Sequence, residues 1–158
     1  DSSIVFDLIV EDYMLLAVPK KYMMLQKAEK REGEKYPWMD ISMMPNEFII
    51  QDNSCYVRQE IDQIFEEYGK KLKPKMIVNS SMLAMQTLER GMGFCFISEV
   101  FLPYITNTKD IDFFCIGKNK VKKTKTGIIY LKNKILSRQE KYCISVLKEK
   151  IINGEIGA

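Results

Sequence analysis

EFIIQDNSCYVRQEIDQIFEEYG (residues 47–69) and KPKMIVNSSMLAMQTLERGMGFCFISEVFLPYI (residues 73–105) run strand, polar helix start, helix, strand, polar helix start, helix, strand. Residues 47–51 read as a short apolar strand, and Asn53 or Ser54 then stands where an N-cap accepts a bond from the first free helix N–H groups. Val57, Ile61, Ile64, Phe65 and Tyr68 recur at amphipathic helical spacing up to Gly69, which is placed for the left-handed residue that closes a helix. Residues 76–78 predict the next strand and Asn79, Ser80 and Ser81 the next cap. Ala84, Met85, Leu88 and Met92 form the buried stripe of that helix, with Gly91 as the stop. Residues 93–97 are a third strand, after which Ser98 caps a shorter helix that Pro103 disturbs. Strands alternating with helices predict an α/β fold, an open mixed sheet flanked by helices.

Outward from this stretch the pattern loosens. Residues 6–19, FDLIVEDYMLLAVP, read as two strand pieces broken around Glu11 and Asp12 and stopped by Pro19. Residues 20–37 are a surface excursion with one helical turn; KAEKREGEK (27–35) carries seven charges in nine positions. Trp38, Met39, Ile41, Met43 and Met44 are expected to seal the core in a short helix or turn. Residues 111–116 and 126–131 are strands flanking a lysine-rich turn. Ser137 and Glu140 form a capping box for the last helix, which Cys143, Ile144, Leu147 and Ile151 pack down, and Gly154 and Gly157 close the tail.

At 158 residues, with 46% apolar and 28% charged residues, the chain is one ordinary domain or two small lobes. No apolar run approaches the roughly 20 residues that span a bilayer, no signal peptide stands at the start, and Asp1 in place of an initiator methionine suggests a fragment or processed product. Cys55, Cys95, Cys115 and Cys143 match no metal or redox spacing, and three of them sit among apolar neighbours, which suits reduced core thiols in the cytoplasm. The count of zero histidines removes Ser-His and Cys-His nucleophile pairs, most zinc sites and the commonest general base. Neither a catalytic group, a metal site nor a cofactor site is therefore expected. The net charge of +3 hides an acid-free run of Lys118, Lys120, Lys122, Lys123, Lys125, Lys132, Lys134 and Arg138. That block faces nucleic acid, a partner or an anionic ligand, or it is a solvated loop beside a lysine-protected edge strand; the lack of interleaved aromatics favours the second.

The candidate binding residues are the helix starts: Asn53, Ser54, Asn79, Ser80 and Ser81. Hydroxyls and aligned N–H groups hold a carboxylate or phosphate without a full charge, although any one of these residues also serves as an ordinary N-cap. Phe96 and Ile97, ending the third strand, supply an apolar floor or pack the core. Arg58 either forks an effector carboxylate or pairs with Asp62 four residues on. Asp52 and Glu99 are read as solvated acids at strand ends, not as a catalytic pair.

In their order and spacing, NSCYVRQEIDQIFEEYG (53–69), the NSS-helix-RGMG-strand run (79–97), EDYMLLAVPKKY (11–22) and SRQEKYCISVLKEKI (137–151) together resemble the effector-binding domain of LysR-type transcriptional regulators. The resemblance implies a fold like that of type 2 periplasmic binding proteins, with residues 20–117 as the second lobe and residues 1–19 and 118–158 as parts of the first. It further implies a small anionic effector in an interlobe cleft and a cytoplasmic homo-oligomer with no membrane contact. DNA would be bound only through a helix-turn-helix domain absent from this chain. The insert around residues 27–35 is longer than the family pattern, and Ser98 stands where a proline is common. A solute-binding component of an uptake system shares the implied fold, and an enzyme on the same lobes is the third, least supported option. A partial first lobe is expected to leave residues 6–18 and 128–131 with exposed edge and apolar surface.

Overall fold

The computed structural model of the chain describes residues 3–153. Two compact units are present, one made of Asp1–Asp12 with Lys123–Ala158 and the other of Tyr13–Lys122. The predicted glycine-closed tail at Gly154 and Gly157 lies outside the described residues.

In the Tyr13–Lys122 unit, β2 (Phe48–Gln51) leads through α1 (Tyr56–Glu67) to β3 (Met76–Val78), and this through α2 (Ser81–Glu89) to β4 (Phe94–Ser98). β1 (Ile4–Pro19) brings its second half into the same sheet, and β5 (Ile111–Cys115) closes the order β3-β2-β4-β1-β5. β2 runs parallel to β3 and β4, whereas β1 runs antiparallel to β4 and β5. Successive strand residues point to opposite faces, so these strands, covered on both sides, are apolar almost without interruption. One face places Met14, Leu16, Phe48, Ile50, Phe94 and Phe96 against Ile61, Ile64 and Phe65 of α1. The other places Leu15, Ala17, Ile49, Cys95 and Ile97 against Ala84, Met85 and Leu88 of α2. Each helix therefore buries most of the stripe its spacing predicted; Val57 and Tyr68 are only half-buried, and Met92 is exposed, past the end of α2. Gly69 (φ 64) and Gly91 (φ 68) follow the two helices in the left-handed conformation.

Residues 20–38 form two 3-10 turns, Lys20–Tyr22 and Met24–Lys27, followed by a bridge between Glu29 and Trp38, with no α-helical turn. Trp38 pairs with Cys115 of β5, its indole N–H donates to the Gly117 carbonyl at 2.8 Å, and the Arg31 guanidinium lies 3.9 Å from its ring centre. A third 3-10 turn, Ile41–Met43, has its first turn capped by Asp40. Met39, Ile41 and Met44 seal the α1 face as expected; Met43 points out. The segment after Ser98 is a 3-10 helix, Glu99–Tyr104, in which Pro103 has no N–H to give an α-helical bond to the Glu99 carbonyl; the Ser98 side chain does not cap it.

In the other unit, β6 (Lys123–Leu131) pairs with β1 and α3 (Arg138–Ile152) follows. β1 continues through Glu11 and Asp12 with no break. Asp12 is buried and accepts a hydrogen bond from the Thr124 hydroxyl of β6, which gives an acid in mid-strand a partner. The Ser137 capping box forms as read, with both reciprocal bonds present. The packing of α3 differs from expectation: none of its residues is buried, Cys143 and Leu147 are exposed, and Lys148 reaches Asp7 of β1 at 2.8 Å. Apolar exposure falls on Ile4, Phe6, Leu8, Ile129 and Leu131 (46–66% exposed), whereas residues 14–18 are core. The lysine block meets its own acids at Lys122–Glu67, Lys125–Glu11 and Lys134–Glu140.

Candidate functional site

The chain leaves β2 towards β3 and leaves β4 towards β5 on the other side, although β2 and β4 are neighbours. Connections that part in this way open a crevice beyond the carboxyl ends of the two strands. Gln51 ends β2 level with Val78 of β3, and the Asp52 N–H continues the ladder to the Val78 carbonyl at 2.9 Å. Both polar helix starts thus come to one edge of the sheet.

The two starts are not alike. At α1 the cap position is Cys55, with no side-chain bond, so neither Asn53 nor Ser54 is the N-cap that the sequence predicted. Asp52 takes the turn instead: its Oδ1 accepts from the Ser54 N–H at 2.8 Å and from the Ser54 hydroxyl. These bonds from the Ser54 side chain and backbone hold the Asp52 carboxyl below its usual range, so it stays ionised and sets a negative charge at this start. Asn53 and Ser54 are exposed on that turn. Arg58, its side chain 17% exposed, gives its Nε to both Asp62 oxygens at 2.9 and 3.0 Å and one Nη to the Gln51 carbonyl at 3.3 Å. It therefore ties α1 to the end of β2.

At α2 Ser80 is the N-cap, its hydroxyl accepting from the Leu83 N–H at 3.2 Å. No acid stands in the first turn, and Ser81 and Met82 carry N–H groups that a helix cannot satisfy internally. Asn79 is exposed beside them. Phe96 and Ile97 are core residues on opposite faces of the sheet, where Phe96 stacks on Phe48 at 5.7 Å and Ile97 joins the α2 side.

Sequence reasoning missed Gln51. It is 1% exposed, and its amide N–H donates to the Ser81 hydroxyl at 3.3 Å, while its Oε1 has no partner among the described residues. An unmet buried acceptor costs about 1–3 kcal/mol, which marks this residue out. The only signal was a single polar letter closing the apolar strand FIIQ.

Also missed was a polar cluster at the end of β4. Glu99 accepts from Tyr36 at 2.8 Å and from Lys35, while the Tyr13 hydroxyl donates to Glu34 at 3.0 Å and the Tyr13 and Tyr36 rings meet edge to face at 5.6 Å. Glu99 is thus paired with the charged insert and not with Asp52. Burial acts to raise its pKa, but the Lys35 and Tyr36 hydrogen bonds prevail and hold it below the usual carboxylate range. Burial, then Glu99, pushes the Tyr36 phenol up to about 12. A carboxyl depressed on folding adds stability that is present above its unfolded pKa of roughly 4.3 and is lost as pH falls through its folded value. Melting curves of the wild type and Glu99→Gln should therefore differ at pH 7 and converge on acidification below about pH 4. A gap that persists unchanged to pH 2 would assign the effect to packing.

No family model matches the chain and no curated protein matches its sequence. Solved structures do match its shape. The effector-binding domain of QuiR, in complex with shikimate, superposes with a TM-score of 0.67 at 13% identity, covering 99% of this chain and 68% of that one. The regulatory domain of CcmR from Synechocystis PCC6803, in complex with 2-PG, gives 0.69 at 13% identity over 96% and 68%. The C-terminal domain of a probable LysR family transcriptional regulator from Rhodococcus sp. RHA1 gives 0.70 at 10% identity over 93% and 68%. The mixed open sheet, the helices on both of its faces and these superpositions agree: the chain has the type 2 periplasmic-binding-protein-like fold of the effector-binding domains of LysR-family transcriptional regulators.

Proposed function

We propose that this chain is the effector-sensing regulatory domain of a cytoplasmic LysR-family transcriptional regulator and binds a small anionic metabolite. The observation that carries the proposal is the start of α2: a cap serine, a second serine and unsatisfied N–H groups at a topological switch point, with no acid in the first turn. Binding of shikimate by QuiR and of 2-PG by CcmR supports a small-molecule role for the same fold. Asn79, Ser80 and Ser81 form the binding wall. Asn53, Ser54 and Arg58 stand back from it, because Asp52 already fills the α1 start and Asp62 holds the arginine. In this proposal residues 20–117 are the second lobe, residues 1–19 and 118–158 belong to the first, and the ligand occupies the cleft between lobes. An effector preferring one lobe geometry shifts a homo-oligomer between states, and a helix-turn-helix domain outside this chain reads the DNA. The chain itself carries no chemistry on the ligand.

Calorimetry with a panel of small carboxylates, phosphates and uncharged analogues tests this. Anions should bind and their uncharged analogues should not. Ser81→Ala should weaken binding by about 1.5–3 kcal/mol, the range for a hydrogen bond to a charged group. Ser80→Ala should lower stability by about 1 kcal/mol through the lost cap. Unchanged affinity in Ser81→Ala, with anions and neutral analogues bound alike, would reduce both serines to structural residues.

A further inference from the structure

The Ser81 hydroxyl and the Gln51 amide are coupled in one direction. Gln51 donates to Ser81 at 3.3 Å, so the serine oxygen is used as an acceptor and its own proton is left to give away. Ser81 is partly open to solvent at the first residue of α2, so that proton is offered where the helix N–H groups also point. The other end of the amide, Oε1, is an acceptor with no donor among the described residues, beneath the same helix start. Donors at the surface and one unmet acceptor just under them describe a ligand with two parts: an anionic group, and a hydrogen-bond donor one or two atoms away from it.

We infer that the site recognises a small hydroxycarboxylate. Its carboxylate accepts from Ser81 and the first-turn N–H groups of α2, and its hydroxyl donates to Gln51 Oε1. The inference rests on the proposed effector-binding role and sharpens it, making Gln51 the residue that separates a hydroxy acid from a plain one. The amide lies below the surface, so contact requires it to turn outward, against a single 3.3 Å bond to Ser81. The exchange gives up one neutral hydrogen bond and gains one from the ligand's hydroxyl, which satisfies the orphaned oxygen. A carboxylate without a donor leaves that oxygen unmet and gains nothing from the rotation. An aminocarboxylate offers a donor as well, but its charged ammonium sits against the positive end of the α2 dipole.

The test is a set of titrations of the intact chain, followed by amide shifts, with acetate, glycolate, methoxyacetate and glycine. Glycolate should bind at least tenfold more tightly than acetate or methoxyacetate, in which a methyl group replaces the hydroxyl proton, and more tightly than glycine. Gln51→Met, similar in length without the amide, should erase the preference, so that glycolate and acetate bind the variant equally. If that variant does not fold, Gln51→Glu keeps an acceptor and adds a negative charge, and it should weaken all four probes. Glycine bound as tightly as glycolate would replace the hydroxyl by an ammonium and overturn the assignment. Acetate and glycolate bound equally, with Gln51→Met unchanged, would overturn this inference and leave the anion site standing. Failure of every probe to shift the α2 start would remove both.

Discussion

Phe48→Ala is expected to remove about 3–5 kcal/mol of folding stability, a large part of the roughly 5–15 kcal/mol that domains of this size possess. Phe48 is 1% exposed in the inner strand β2 and is the hub of the aromatic core on the α1 face. Its ring lies 5.1 Å from Phe65 and 5.7 Å from Phe94, both edge to face, and 5.7 Å from Phe96, nearly parallel. Truncation loses the transfer free energy of a whole ring and opens a cavity walled by three other rings, which can relax only by moving β4 and α1 together. Phe48→Leu keeps most of the volume and should cost clearly less. Urea unfolding followed by the fluorescence of Trp38, the one tryptophan, gives both values. Equal costs for leucine and alanine would show that ring packing is not what the site contributes.

Gly93→Ala should be nearly as damaging, by about 3 kcal/mol, for a different reason. A Cβ at Gly93 would stand 2.2 Å from the Glu47 carbonyl oxygen and 3.1 Å from the Ile49 side chain. The nearest atom is backbone, and that same carbonyl accepts the Phe94 N–H at 2.9 Å, so the added methyl must part β2 from β4 where the two strands first pair. Gly91→Ala is the useful comparison. Its φ of 68 is strained for alanine, but the nearest neighbour is the flexible end of Lys21, so the expected cost is only about 1 kcal/mol. If Gly93→Ala melts with the wild type while Gly91→Ala does not, backbone conformation and not strand spacing limits this corner of the sheet.

Local rules were enough for much of this molecule. The stripes of α1 and α2 follow from residues three and four apart, which share a helix face whatever surrounds them. The Ser137 capping box and the glycine ends depend on groups within one turn of each other, so sequence alone located them. Apolar strands alternating with polar helix starts implied an open α/β sheet, but the order β3-β2-β4-β1-β5, which brings the two helix starts to one sheet edge, came only with the folded chain. What sequence did not determine depends on partners far along the chain. Asp12 stays inside a continuous strand because Thr124, 112 residues away, meets its carboxylate. Glu99 is tied to Tyr36, 63 residues away, and the α1 turn went to Asp52 because a carboxylate at that place outcompetes the neutral side chains of Asn53 and Ser54. Phe96 and Ile97 became core because α1 and α2 cover opposite faces of β4, and only the folded chain decides between that and an apolar floor for a ligand. Gln51 shows the division most plainly. Its letter is only one polar residue at a strand end, and its meaning comes from Ser81, 30 residues on, brought above it by the crossover through α1 and β3. A hydrogen bond needs both partners in place, and only the folded chain puts them there.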